Sequence, residues 1–195
     1  MSIETYTEFC TGCGLCHSVC NVQFSSDSKG YPVPNLISEN IDFCSRFCPA
    51  SGVASRRMDR NCVWGRYVSV HAGWASHKEI RNEASSGGVL TAICCYLLEE
   101  KIVDGIIQIK ASDTVVYETE TVISRNSQEV KSCSGSRYAI SSPLYDLKAV
   151  IHEGEKYAVV GKPCDVSTLR MYLNEEVDLK KIFCIYYLFL CGNAE

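Results

Sequence analysis

The sequence predicts an α+β molecule in two parts, a small cysteine-rich module over residues 1–52 and a mixed α/β domain over residues 66–195, with a connector at 53–65. Three observations predict it. Cys10, Cys13, Cys16 and Cys20 crowd into one short stretch of a module that has no apolar period long enough for a core of its own. From Arg66 onward, strand-like and helix-like periods alternate. The 195 residues suffice for one well-buried α/β domain and one small addition.

Cys, Gly, Ser and Pro dominate the module, so a bound metal is expected in place of an apolar core. Asp27 to Pro34 reads as a turn and a short extended segment, because Lys29-Gly30 can reverse the chain and Pro32 and Pro34 disfavour helix. The connector carries a local basic cluster, Arg56, Arg57 and Arg60, read as a solvated face. Arg66 to Ser76 alternates like a strand. Ser85-Ser86-Gly87-Gly88 then opens a helix running to about Glu100, with Ser as its N-cap. Strands are expected at 104–110 and 115–123, a helix near 143–152, a strand at 156–161, a helix at 165–173 and a strand at 181–190. This order implies a sheet covered by helices and at least partly parallel.

Composition narrows the function. A net charge of -4 and a pI near 5.6 supply no broad cationic field for a phosphate backbone, so no nucleic-acid partner is expected. The apolar runs Val89 to Leu98 and Ile182 to Leu190 fall far short of the roughly 20 residues a spanning helix needs, so they are core segments and no membrane span is expected. The N-terminus, MSIETYTEFC, lacks the cationic and apolar stretches of a signal peptide. A cytoplasmic protein is therefore expected, and its 13 cysteines point to metal or packing and away from disulfides.

Cys10-Thr-Gly-Cys13-Gly-Leu-Cys16-His-Ser-Val-Cys20 has the spacing C-x2-C-x2-C-x3-C, the bacterial ferredoxin pattern, which curls three thiolates around one face of a 4Fe-4S cluster. Gly12 and Gly14 suit the tight loop and let backbone N–H groups approach the sulfurs. A structural zinc site usually takes ligand pairs about a dozen or more residues apart, so three cysteines on one loop favour iron–sulfur. An oxygen-sensitive electron-transfer protein follows. The last cysteine of such a run ordinarily serves a second run's cluster. Counting back from Cys48-Pro49 finds Ser38, Ile41, Cys44 and Cys48, so two of the second run's cysteines are missing. The expected ligands are Cys10, Cys13, Cys16 and Cys48, with Cys20 and Cys44 facing a vacated site. A cluster on Cys10, Cys13, Cys16 and Cys20 alone is the alternative, and a second cluster using Cys20, Cys44 and a ligand such as Cys62 is a third arrangement.

Three further segments carry a resemblance. Glu83 to Ala92 (EASSGGVLTA), Gly135-Ser-Arg-Tyr138, and Val160 to Asp165 (VGKPCD) with a strand ending in Phe189-Leu-Cys191-Gly192 are together similar to the coenzyme F420 hydrogenase/dehydrogenase beta-subunit family. Many members of that family carry an N-terminal ferredoxin module. The fold it implies is a small ferredoxin-like iron–sulfur module followed by a partial mixed α/β flavin-binding domain. The activity it implies is that of an FAD enzyme moving electrons between a hydride carrier and iron–sulfur clusters, with a redox partner protein or subunit. The carrier is coenzyme F420 in archaeal members, or another. A flavin takes a hydride as two electrons and releases them singly, which suits that role.

The resemblance also implies residues. Ser86, Gly87 and Gly88, with Gly135, Ser136, Arg137 and Tyr138, are the cofactor-binding candidates, and a helix start with free N–H groups suits a flavin phosphate. Alone, such a turn would be an ordinary helix start. Cys164 and Cys191 correspond to two ligands of a core 4Fe-4S cluster, whose other ligands lie in a later C-x2-C that is absent here. Cys164 follows a strand at a predicted helix N-terminus, a position that lowers a thiol's pKa. Lys162 and Asp165 depart from the side chains common in the family. The chain is thus expected to be a fragment, or a shortened protein completed by a partner. The competing reading is a ferredoxin-like electron carrier or interaction module without flavin.

The other candidates read as structural. His17, His71, His77 and His152 are scattered, and Glu99-Glu100 and Glu175-Glu176 end helices as solvated faces. Cys94, Cys95, Cys133 and Cys184 read as packing residues, with Cys133 close enough in sequence to Gly135 to approach a cofactor.

Overall fold

A computed structural model describes residues 2–51, 69, 71–115, 118–137 and 139–175, with the backbone of 187–188. The cysteine-rich module holds α1 (Ile3–Glu8), α2 (Leu15–Cys20), the strands β1 (Phe24–Ser26) and β2 (Pro32–Pro34), and α3 (Ile41–Phe47). Local chemistry shapes each piece. Ser2 caps α1 by accepting from the Thr5 N–H at 3.4 Å. The Asp27 carboxylate accepts from the N–H groups of Lys29 and Tyr31, each at 2.8 Å, and so folds the turn between β1 and β2.

Beyond the module come α4 (Lys78–Glu83), α5 (Val89–Glu99), β3 (Gly105–Ala111), β4 (Thr119–Ser124), α6 (Ser127–Ser132), α7 (Leu147–Val150), β5 (Tyr157–Val160), α8 (Pro163–Glu175) and β6 (Tyr187–Leu188). The sheet runs β4-β3-β5-β6. β3 pairs antiparallel with β4 and parallel with β5, and β5 pairs parallel with β6, giving the mixed sheet the alternation implies. No helix among the described residues is long and apolar enough to cross a membrane.

Strand periodicity divides the interior into two cores. Ile106 and Ala158 face α4, α5 and α6, packing with Ile80, Cys94, Leu97 and Val130. Ile107, Tyr157 and Val159 face the other way, onto Leu144 and Leu147 near α7 and Leu169 and Leu173 of α8. Leu15 of α2 and Phe47 of α3 join this second core, so the cysteine-rich module shares its apolar interior with the α/β domain. Full burial of one such side chain stabilises by about 1.5–3 kcal/mol. Polar ties reinforce the contact: the Leu144 N–H donates to the Cys13 carbonyl at 3.0 Å, the Lys148 N–H to Ser18 Oγ at 2.9 Å, and the Thr168 hydroxyl to the Phe47 carbonyl at 3.0 Å. Arg46 pairs with Glu175 across the same junction.

Several sequence expectations change. No strand forms at 69 or 71–76, the described part of the expected Arg66 to Ser76 strand; there the Ala75 N–H donates to the Gly87 carbonyl at 2.8 Å and not to a sheet neighbour. The cap of α5 is Gly88, in left-handed conformation, and no serine side chain bonds to the helix start. The helix expected at 143–152 shrinks to α7, whereas α8 starts two residues earlier than expected because Pro163 is suited to the first helical position. The strand expected at 115–123 is β4, displaced toward Ser124, with Val116 and Tyr117 outside the described residues. The connector's Arg56, Arg57 and Arg60 also lie outside them.

Candidate metal centre

Two short helices and the loop before them bring sulfur together. Cys10, Cys13, Cys16, Cys44 and Cys48 line one cavity, closed by Tyr6, Leu15, Phe24, Phe43 and Phe47 among others. Gly14 makes the loop's close approach to the α/β domain feasible: its φ is +86°, and a Cβ there would lie 2.7 Å from the Tyr145 backbone. Main-chain N–H groups point at the sulfurs. Gly12 donates to Cys10 Sγ at 3.4 Å, Leu15 donates to Cys13 and Ala50 to Cys48. The donor set at this wall is soft thiol without carboxylate, which suits iron–sulfur and not a hard cation. Among the described residues no group of three or more His, Cys, Asp or Glu side chains is placed to hold a single metal ion.

Burial governs the acidity of these groups. It pushes Cys13 and Cys44 each up to about 12, with smaller contributions from neighbouring thiols, and raises Cys16 further still. Tyr6 is raised as well, by burial first and then by Cys44 and Cys48. Tyr6 has no motif to mark it in the sequence; it reaches the cavity from α1, an element the composition of the module conceals.

Cys20 and Cys164 do not line the cavity. Cys20 ends α2, where burial raises its thiol pKa and the nearby charge of Lys148 partly opposes the rise. Cys164 lies beside the cysteine loop, where its thiol is hydrogen-bonded to the Thr11 side chain. The expectation that a helix start lowers its pKa is corrected: burial and the adjacent Asp165 raise it, outweighing Lys162. Asp165 is 0% exposed. Its carboxylate accepts from the Lys162 N–H at 2.8 Å and pairs with Lys162 Nζ at 3.0 Å, while that ammonium also donates to the Ser141 carbonyl and hydroxyl at 3.1 Å. Burial raises the Asp165 carboxyl despite this partner. Cys191, Cys62, Cys184 and Tyr138 lie outside the described residues.

The cofactor-binding candidates gather on the other core. Ser86, Gly87 and Gly88 have successive φ values of 53°, 71° and 74°, a left-handed run before α5. A Cβ on Gly88 would meet the Ile80 carbonyl oxygen at 2.7 Å. The Ser136 N–H donates to Ser85 Oγ at 2.8 Å, which ties Gly135, Ser136 and Arg137 to the Ser85–Gly88 turn across 51 residues of chain. Elsewhere, the His17 ring stacks on Tyr145 at 3.7 Å and its Nδ1 lies 2.9 Å from the Val22 carbonyl, a structural role. Cys94, Cys95 and Cys133 are buried, as packing residues should be.

Comparison with known proteins places these features. Residues 70–148 match the profile of the coenzyme F420 hydrogenase/dehydrogenase, beta subunit N-terminal family. An uncharacterized protein of Methanocaldococcus jannaschii is 30% identical over 205 aligned positions, covering 91% of this chain and 56% of its own length. The coenzyme F420 hydrogenase subunit beta of Methanococcus voltae is 30% identical over 109, covering 55% of this chain and 39% of its own length. The coenzyme F420-dependent sulfite reductase of M. jannaschii is 29% identical over 164, covering 83% of this chain and 24% of its own length. The chain thus spans between 24% and 56% of these relatives. In the solved F420-reducing NiFe hydrogenase complex of Methanosarcina barkeri, one chain superposes with a TM-score of 0.50 at 26% identity, covering 56% of this chain and 38% of that one. Residues 70–148 thus carry the N-terminal segment of the coenzyme F420 hydrogenase/dehydrogenase beta-subunit family.

Proposed function

We propose that this chain is an iron–sulfur flavoprotein subunit that passes electrons between a hydride carrier, coenzyme F420 or another, and a redox partner protein. The observation that carries the reading is the wall of five thiols around one buried cavity, in a chain whose relatives include F420-named hydrogenase and sulfite reductase proteins. Cys10, Cys13, Cys16 and Cys48 would hold a 4Fe-4S cluster, which stores a single electron when bound. The N–H groups of Gly12, Leu15 and Ala50 stabilise negative charge on their sulfurs, and Leu15, Phe43 and Phe47 keep water from the cavity. The Ser86–Gly88 turn with Gly135, Ser136 and Arg137 would hold FAD, which takes a hydride as a pair of electrons and gives them up singly. Tyr138 is proposed for the same face. Cys164 and Cys191 are proposed as partial ligands of a second cluster, which needs thiols from elsewhere. The protein would work in the cytoplasm and be oxygen-sensitive.

Anaerobic purification followed by iron, sulfide and flavin assays tests the reading. About four irons per chain, with FAD and a broad absorbance band bleached by dithionite, is the expected result. Iron without flavin would leave the electron-carrier reading standing in place of the flavoprotein. Colourless protein with stoichiometric zinc would overturn both.

A further inference from the structure

We infer that the fourth ligand position at the cavity is shared: Cys44 and Cys48 both reach it, and either can complete the set begun by Cys10, Cys13 and Cys16. The inference rests on the cluster reading above and deepens it. Cys44 sits in α3 and Cys48 is that helix's C-cap, with the Cys48 N–H donating to the Cys44 carbonyl at 2.9 Å. A separation of four residues puts two side chains on the same helical face. Here both side chains line the cavity, as does Phe47 between them, which also packs into the core beneath. Cys44 is 2% exposed and so has no solvent-facing role. Tyr6 lines the same cavity.

A cubane takes four thiolates, and this wall offers five. Sequence spacing assigns Cys44 to a vacated second site together with Cys20. Cys44 nonetheless lines the first cavity, and Cys20 does not. Exchange between the two positions moves no electrons. With a cluster bound, the incoming thiol would give up its proton and the outgoing thiolate would take one, so charge and electrons balance.

The test is iron and sulfide content, with the electron paramagnetic resonance spectrum of the dithionite-reduced protein, for anaerobically purified Cys44→Ala, Cys48→Ala and the double variant. Each single variant is expected to keep about four irons, Cys48→Ala with altered g-values, and the double variant to lose at least one. Should Ala at position 44 reduce the helical circular dichroism, Cys44→Ser, which keeps the volume, carries the same comparison. Loss of iron in Cys48→Ala to the level of the double variant would overturn the inference and leave Cys48 as sole fourth ligand. Loss in Cys44→Ala alone, or four irons retained in the double variant, would also overturn it. A Cys13→Ala variant distinguishes the deeper failure: full iron content there would remove the cluster site itself.

Discussion

On one side of the sheet, Cys94 and Cys95 sit in α5 among Ile80, Leu97 and Val130; on the other, Cys10, Cys13, Cys16, Cys44 and Cys48 share one wall. Burial pushes Cys94 up to about 12 and Cys13 to about 12, so a raised pKa does not tell the two kinds of cysteine apart. Their neighbours do. Cys94 is influenced by one other thiol, Cys95, whereas Cys16 is influenced by four. Packing cysteines replace aliphatic side chains one at a time; chemically competent ones converge, with backbone N–H groups aimed at them.

The largest expected effect breaks the comparison at the core beneath the thiols. Leu169→Ala should cost about 2–5 kcal/mol in urea unfolding, in one transition, because Leu169 packs in the core that also buries Leu15 and Phe47. A separate transition for the cysteine-rich module would contradict the shared core. Next come two glycines that play matching parts on the two sides. Gly14→Ala and Gly88→Ala each combine positive φ with a Cβ contact of 2.7 Å to backbone, and each should cost about 1–3 kcal/mol. Only Gly14→Ala should also lower iron content, since it displaces the cysteine loop. Cys94→Ala should cost about 1 kcal/mol and leave iron unchanged, sharpening the contrast between the two sides.

The smallest effect concerns pH. Arg125 and then the Tyr157 hydroxyl hold the Glu155 carboxyl below its ordinary value. Its stabilising contribution is present above the unfolded carboxyl pKa and is lost as pH falls through the lowered folded one. The difference in melting temperature between the protein and Glu155→Gln should therefore shrink as pH drops from 7 into that acidic window. A constant difference would argue that the carboxylate's charge does no stabilising there.

The mixed sheet and the cysteine loop were legible because each rests on a local pattern: β3 and β5 are short buried runs next to turn residues, and the C-x2-C-x2-C spacing is itself the geometry of a loop. The short helices α1, α3, α4 and α6 were not, since six or seven residues give too little period to detect and are held by caps and packing. Gly88 as the cap of α5 was missed for a related reason: a serine nearby is the commoner capping signal, and only the close approach of the Ile80 carbonyl shows why glycine stands there. Least legible was the joining of module and domain. Ser18 and Lys148 meet across 130 residues, a pairing that neither residue's surroundings in sequence can announce. Cys44 carries the same lesson: spacing groups it with Cys20, and only the fold shows that it also lines the cavity of Cys10, Cys13 and Cys16.

Iron and acid-labile sulfide per chain, measured on anaerobically purified protein beside its Cys13→Ala and Cys94→Ala variants, test the account most directly. It predicts about four irons for the protein and for Cys94→Ala, and sharp loss of iron and brown colour for Cys13→Ala. Unchanged iron and colour in Cys13→Ala would contradict it.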